Sequence, residues 1–160
     1  MDEEEVTFDD KSFFTTEVSV YAMDSVQSIL DVLRDKLQDN KENALRVKVL
    51  RVMHCAQLTE MRGLHFFANI CELNISSNSI LTMSGLEGLN QLESLNMSCN
   101  KLTRIICLAN VARTLKHLNL SHNRIVSLMP LQEFAEISIL EVLDLTDNYV
   151  GELSHIKALQ

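Results

Sequence analysis

The chain is expected to fold as an α/β solenoid, a stack of short repeats whose strands form a parallel β-sheet on the concave face, with a helix capping the N-terminal end. Three observations predict this: a recurring pattern of aliphatic residues and asparagine, the constancy of its spacing, and an amphipathic segment just upstream. The pattern occurs four times, as Ile70-Leu73-Ile75-Asn78-Ile80, Leu92-Leu95-Met97-Asn100-Leu102, Leu115-Leu118-Leu120-Asn123-Ile125 and Leu140-Leu143-Leu145-Asn148-Val150. The asparagines lie 22, 23 and 25 residues apart, the period of a solenoid built from one strand and one return segment per turn.

Within each repeat the alternation of aliphatic and polar residues has the period of two that makes one face of a strand apolar. It buries Leu73 with Ile75, Leu95 with Met97, Leu118 with Leu120 and Leu143 with Leu145, and directs the residues before, between and after each pair, Ser121 among these, to solvent. At the bend after each strand the asparagine amide is suited to satisfy backbone groups that the bend removes from the sheet, so Asn78, Asn100, Asn123 and Asn148 are read as a structural ladder. A degenerate repeat precedes them, with Val47, Leu50 and Val52 followed by Cys55 in the asparagine slot and by Leu58, Met61, Leu64 and Phe67. A single turn cannot bury both of its faces, and stacking supplies the core.

The domain organisation follows in chain order. Residues 1–23 read as an acidic leader, disordered over 1–12, with Phe8, Phe13 and Phe14 available to pin it back and Val18 to Tyr21 suited to a short edge strand. Residues 24–46 hold the capping helix and its connection. Asp24 and Gln27 suggest a capping-box start, and Val26, Ile29, Leu30, Leu33 and Leu37 recur at helical spacing, which predicts a helix over Ser25 to Gln38. Residues 47–160 form the repeat domain, about five repeats, in which Leu153, Ile156 and Leu159 continue the final apolar flank. That last edge is expected to support weak self-association, since an unpaired strand beside apolar surface recruits another chain.

Charge narrows the partner. The net charge of −8 resides in residues 1–44, which hold 12 acidic and 4 basic side chains, whereas residues 45–160 hold 10 of each. Nucleic acid is not an expected ligand, because phosphate binding needs a basic footprint. The opening MDEEEVTFDD carries acids where a secretory signal carries bases, and no apolar stretch is long enough to span a bilayer, so a cytoplasmic protein without membrane attachment is expected. The cysteines at 55, 71, 99 and 107 show no metal-ligand spacing and read as reduced thiols.

Nothing in the chain resembles a phosphate loop, a nucleophile elbow or a metalloprotease helix, and neither cofactor nor metal is expected. The sharpest chemical candidate is the residue before each asparagine, which reads His54, Ser77, Cys99, His122 and Asp147 in successive repeats. Stacking would align Cys99, His122 and Asp147 in the order of nucleophile, base and orienting acid, or as metal ligands, but in a surface slot with no pocket to desolvate them. Protein binding is the stronger reading, and the chain is expected not to be an enzyme. Candidate contacts are Arg51, Glu72, Asn74, Asn96, His117, Asn119 and Asp144 on the strand face. Beside the bend, Lys101, Arg104 and Arg124 form a basic cluster suited to an acidic partner, with Arg113 and Lys116 close in sequence.

From about Val47 to Gln160 the chain resembles the short intracellular leucine-rich repeat family, most specifically in LKHLNLSHNRI at Leu115 to Ile125. That family includes the regulatory subunit of protein phosphatase 1 and the leucine-rich dynein light chain. The lengthened stretch from Leu131 to Ser138 before LEVLDLTDN is similar to the penultimate repeat of axonemal and centriolar members, the leucine-rich coiled-coil proteins of basal bodies among them. The resemblance implies a non-catalytic scaffold or adaptor with a cytoskeletal partner at the centrosome, basal body or axoneme. Its alternative is a regulatory subunit gripping a globular enzyme such as a phosphatase, although the strand face here lacks the aromatic residues such a grip uses.

Overall fold

Aliphatic residues two apart lie on one face of an extended chain, and wherever this pattern occurs upstream of a bend the chain forms a strand. The computed structural model of the protein describes residues 16–38, 40–127 and 139–151. The strands are β1 (Glu17–Tyr21), β2 (Val49–Met53), β3 (Glu72–Asn74), β4 (Ser94–Asn96), β5 (His117–Asn119) and β6 (Val142–Asp144). They pair in parallel, each with its neighbour in sequence, as one six-stranded sheet. Its register is strict: Leu50, Leu73, Leu95, Leu118 and Leu143 are successive partners, as are Arg51, Asn74, Asn96, Asn119 and Asp144.

The first set faces the core, where Leu50, Leu73, Leu95 and Leu118 are buried, and the second faces outward. A slip of one residue would exchange the two faces, so the aliphatic pattern itself fixes the register. The return segments add Leu58, Met61, Leu64, Phe67, Met83, Leu86, Leu89, Ile105 and Leu108 to a single continuous cluster. Short 3₁₀ turns at Leu64–Phe67 and Leu108–Asn110 shape two of these returns.

Two helices, α1 (Ile29–Leu37) and α2 (Lys41–Arg46), lie between β1 and β2. α1 begins four residues later than the periodicity suggests. Residues 26–28 are not free to turn, because Val26 is buried, Gln27 accepts from the Thr59 N–H at 3.3 Å, and Ser28 bridges Glu60 in parallel. Ser28, not Asp24, is therefore the N-cap: its N–H donates to Asp31 Oδ2 at 2.8 Å, and the Gln27 N–H donates to the same oxygen at 3.0 Å. Burial alone would raise the Asp31 carboxyl, but these bonds, the Ser28 hydroxyl and Arg34 outweigh it and hold the group below its ordinary value. Ile29, Val32, Leu33 and Leu37 face the core. In α2, Asn40 caps the helix by accepting from the N–H groups of Glu42 and Asn43 at 3.0 and 3.2 Å.

The expectation that this helix covers the open end of the stack is not what the structure shows. β1 lies outside it, paired with β2 from Glu17↔Val49 to Tyr21↔Met53, so α1 and α2 are the return segment of an additional first turn. That turn follows the same spacing as the next, with Val18, Val20, Met23, Val26 and Ile29 matching Leu50, Val52, Cys55, Leu58 and Met61. The edge strand expected at Val18 to Tyr21 is β1, so residues 17–21 belong to the sheet although they lie within the segment read as leader. The lengthened stretch at 131–138, the expected disorder of 1–12, the phenylalanines at 8, 13 and 14, and the apolar residues at 153, 156 and 159 lie outside the described residues.

Candidate protein-binding surface

Each bend after a strand removes backbone groups from the sheet, and one asparagine per turn takes them up. Asn123 shows the arrangement: its Nδ2 donates to the carbonyls of Met97, Leu120 and Ser121 at 2.9, 3.0 and 3.2 Å, and its Oδ1 accepts from the Leu102 N–H at 3.0 Å. Asn78 does the same for Val52, Ile75 and Cys55, Asn100 for Ile75, Met97 and Ile80, and Asn148 for Leu120, Leu145 and Ile125. Every one of these amides bonds to its own turn and to the turn before it.

The outward strand face carries a second file of carboxamides. Asn74, Asn96 and Asn119 each use Oδ1 to accept the N–H two residues on, at Ser76, Ser98 and Ser121, over 3.1, 2.9 and 2.9 Å, and Asp144 repeats this with Thr146 at 2.9 Å. The bonds from the Thr146 hydroxyl and N–H draw the Asp144 carboxyl below its ordinary value. These side chains hold the strand exit, and the orientation they impose leaves the Nδ2 groups of the three asparagines without a hydrogen bond among the described residues. The expectation that Ser121 is exposed is corrected: it is buried, as is Ser76, because the serine sits in the crook of the bend, where the Ser121 hydroxyl donates to Asn119 Oδ1 at 2.7 Å.

Charges on this face are paired across strands. Arg51 lies between Glu17 on β1 and Glu72 on β3, the latter at 2.9 Å, so one guanidinium ties three strands together. Lys116 meets Glu93 at 2.8 Å, which holds the carboxyl below and the ammonium above their ordinary values. His117 stands 3.8 Å from Glu141. Lys116 is thus engaged on the strand side, and it does not join Lys101, Arg104 and Arg124, which are exposed on the segments that follow the asparagines.

The file suspected of chemistry has a backbone explanation. Ala22, His54, Ser77, Cys99, His122 and Asp147 all occupy the left-handed region, with φ between 51° and 58°. The residue before each asparagine is where the chain reverses hand to leave the sheet. His122 Nδ1 and Asp147 Oδ2 are 3.1 Å apart, with more than half of each side chain in solvent. Cys99 is exposed. Among the described residues no group of three or more His, Cys, Asp or Glu side chains is disposed to hold a metal.

A conformational constraint at Cys99 makes a specific expectation. At φ 54° a β-branched side chain meets its own backbone, at a cost of about 1 to 2 kcal/mol. Cys99→Val is expected to lower the unfolding free energy by that amount, and with it the denaturation midpoint, whereas Cys99→Gly leaves both unchanged or raises them. Equal midpoints for the two variants in a urea titration would show that the bend does not constrain this residue.

Comparison with known proteins agrees with this geometry. Two profiles described as leucine-rich repeat match residues 91–109 and 111–126. A comparison with curated protein sequences gives no match. Among solved structures, the internalin inlF of Listeria monocytogenes superposes with a TM-score of 0.63 at 20% identity, over 73% of this chain and 33% of that one. The functional domain of InlJ from Listeria monocytogenes, which includes a cysteine ladder, gives 0.58 at 19% identity over 74% and 25%. Internalin C2 of the same organism gives 0.52 at 17% identity over 91% and 77%. The chain therefore spans about a third of inlF and a quarter of the InlJ domain. Among the described residues no helix is long and apolar enough to cross a membrane. Repeat pattern, asparagine ladder, profile matches and structural neighbours converge on one architecture, and the chain is a leucine-rich repeat solenoid.

Proposed function

We propose that the protein is a non-catalytic interaction module that binds a protein partner across the concave strand face. The observation that carries this reading is the register of the sheet, which aligns Arg51, Asn74, Asn96, Asn119 and Asp144 as one file and Glu72, Ser94 and His117 as another. A flat partner surface would meet a rigid grid of donors and acceptors, with the unbonded Nδ2 groups of Asn74, Asn96 and Asn119 pointing the same way. Rigidity favours recognition, because a preorganised surface loses little conformational entropy on binding.

Within that reading the partner is cytoskeletal and the protein acts as a cytoplasmic scaffold or adaptor at the centrosome, basal body or axoneme. The resemblance of the lengthened stretch at 131–138 to the penultimate repeat of axonemal and centriolar members supports this assignment. The alternative is regulation of a globular enzyme such as a phosphatase through the same face.

The test uses variants of the full chain. Ser94→Arg with His117→Glu alters the strand face at side chains outside both asparagine files, and Glu87→Lys alters an exposed return segment. Affinity capture from extract, quantified by mass spectrometry, is expected to lose its specific partner about tenfold or more with the first variant, since mismatched charge across an interface costs several kcal/mol. The second variant is expected to retain it. Equal capture by both would remove the strand face from the binding site. A captured phosphatase catalytic subunit whose activity changes on adding the pure protein would favour the alternative.

A further inference from the structure

The surface that follows each asparagine is separate from the strand face and is ordered by its own backbone bonds. Lys101 N–H donates to Ile80 O at 3.0 Å, Arg124 N–H to Leu102 O at 2.8 Å, and Tyr149 N–H to Ile125 O at 2.9 Å, so successive turns are stacked in step along it. Lys101, Arg124 and Tyr149 form one row of this stack, and Leu81, Thr103 and Val126 form the next, Val126 N–H reaching Thr103 O at 3.4 Å. Arg104 and Ile106 continue the turn of Lys101. The result is a surface of three cations interleaved with large apolar side chains, Leu81, Ile106, Val126 and Tyr149 being 54%, 38%, 57% and 69% exposed.

Two properties together mark these cations. Arg34, Arg51, Arg62 and Lys116 each have a carboxylate within reach, whereas Lys101, Arg104 and Arg124, like Lys36 and Arg113, form no ion pair with any described residue. They also stand among exposed apolar groups, so an anion that satisfies them must carry apolar side chains of its own. A nucleic acid does not fit, since its affinity depends on a larger count of phosphate contacts than three cations make.

The chain contains one segment with the complementary composition. Residues 1–15 hold Asp2, Glu3, Glu4, Glu5, Asp9 and Asp10 against a single lysine, Lys11, with Val6, Phe8, Phe13 and Phe14 between and after the acids. We propose that this leader docks on the surface formed by Lys101, Arg104, Arg124, Leu81, Ile106 and Val126, its acids on the cations and its apolar side chains on the exposed aliphatic groups. Reach permits it: fifteen extended residues span up to about 50 Å, and the fourth and fifth turns lie within about 20 Å of β1 along the stack, at about 4.8 Å per turn. Tethering strengthens it, because a segment held on a short linker acts at an effective concentration of about millimolar even when each surface ion pair is weak. This proposal does not depend on the reading of the strand face.

Zero-length carbodiimide coupling of the full chain, followed by peptide mapping, tests it. At about 0.01 M salt the Nζ of Lys101 is expected to form an amide with an acid in residues 2–10, and the yield is expected to fall about fivefold or more at about 1 M, where the screening length shrinks to about 3 Å. The same fall is expected at low salt in Arg104→Glu/Arg124→Glu, and in the milder Arg104→Gln/Arg124→Gln should the first variant be poorly folded. Equal yields in both salts, or in variant and parent, would overturn the proposal. Mixing isotopically heavy and light chains identifies the donor: coupling only between chains would assign the surface to a second copy and overturn the intramolecular docking.

Discussion

Asn123→Ala is expected to lower the unfolding free energy by about 3 kcal/mol, because it strands several buried groups at once. The side chain serves the Leu102 N–H and the carbonyls of Met97, Leu120 and Ser121, and it is buried. Alanine supplies neither donor nor acceptor, and no water replaces the amide unless the turns part. The neighbouring change Thr103→Ala, at an exposed side chain in the preceding turn, is the control and is expected to change the unfolding free energy by less than about 0.5 kcal/mol. Chemical denaturation of both variants decides the matter. A midpoint for Asn123→Ala equal to that of the control would mean that the ladder does not bear on stability. Ser121→Ala would be a poor control, since that hydroxyl is buried against Asn119.

An equally large loss is expected from a position that no repeat pattern marks. Gly63 has φ 98°, and a Cβ built there would lie 2.6 Å from Leu30 N and 2.8 Å from Leu30 Cα. These are backbone atoms of α1, held in place because the Leu30 N–H donates to Arg62 O at 2.8 Å. Alanine must therefore push the first turn of α1 off the second turn of the solenoid as well as occupy a left-handed conformation. The expected cost is about 3 to 5 kcal/mol, within the range reserved for strained or overpacked core sites. Gly88→Ala separates the two contributions, since its φ is 86° but nothing lies within 4 Å of the added carbon. It is expected to lose only about 1 to 2 kcal/mol. Equal losses at the two glycines would show that the contact with Leu30 is not tight.

Much of this architecture is legible in the sequence because two periodicities coincide. The spacing of Leu73 with Ile75 or Leu118 with Leu120 encodes a strand, and the return of asparagine after 22 to 25 residues encodes the turn. Both signals weaken at the first turn, where Met23 takes the asparagine slot and a helix replaces the aliphatic return, so α1 reads as a cap although Val18, Val20, Met23, Val26 and Ile29 keep the spacing of the following turn. Surface features were less legible. The clamp on Arg51 joins residues 34 and 21 positions away in the chain, a pairing that only the sheet register creates. The left-handed file was hidden for the opposite reason: Ala22, His54, Ser77, Cys99, His122 and Asp147 share a backbone angle and no side-chain chemistry. A row of diverse residues at constant spacing thus signals conformation, even where three of them could be arranged on paper as a catalytic set.

The asparagine ladder also gives the solenoid a direction. Each amide satisfies fixed backbone groups of the turn before it, as Asn148 does for Ile125 N–H and Leu120 O, so a turn depends on its successor more than on its predecessor. If a later turn peels away, the turn left behind keeps rigid N–H and C=O groups that cannot rotate toward new partners. If an earlier turn peels away, what remains is a side-chain amide, which can turn to water. The earliest junction has a weaker link, since Cys55 stands where the other turns have asparagine: its thiol meets Met53 O in its own turn at 3.5 Å and a backbone group of Met23 in the turn before, without the several bonds an amide makes. Pulled or heated, the stack should therefore behave like a zipper with a preferred end: the turn of β1, α1 and α2, held by its strand pairing and packing but not by an asparagine, opens before the turns from β2 onward, which stay locked from behind.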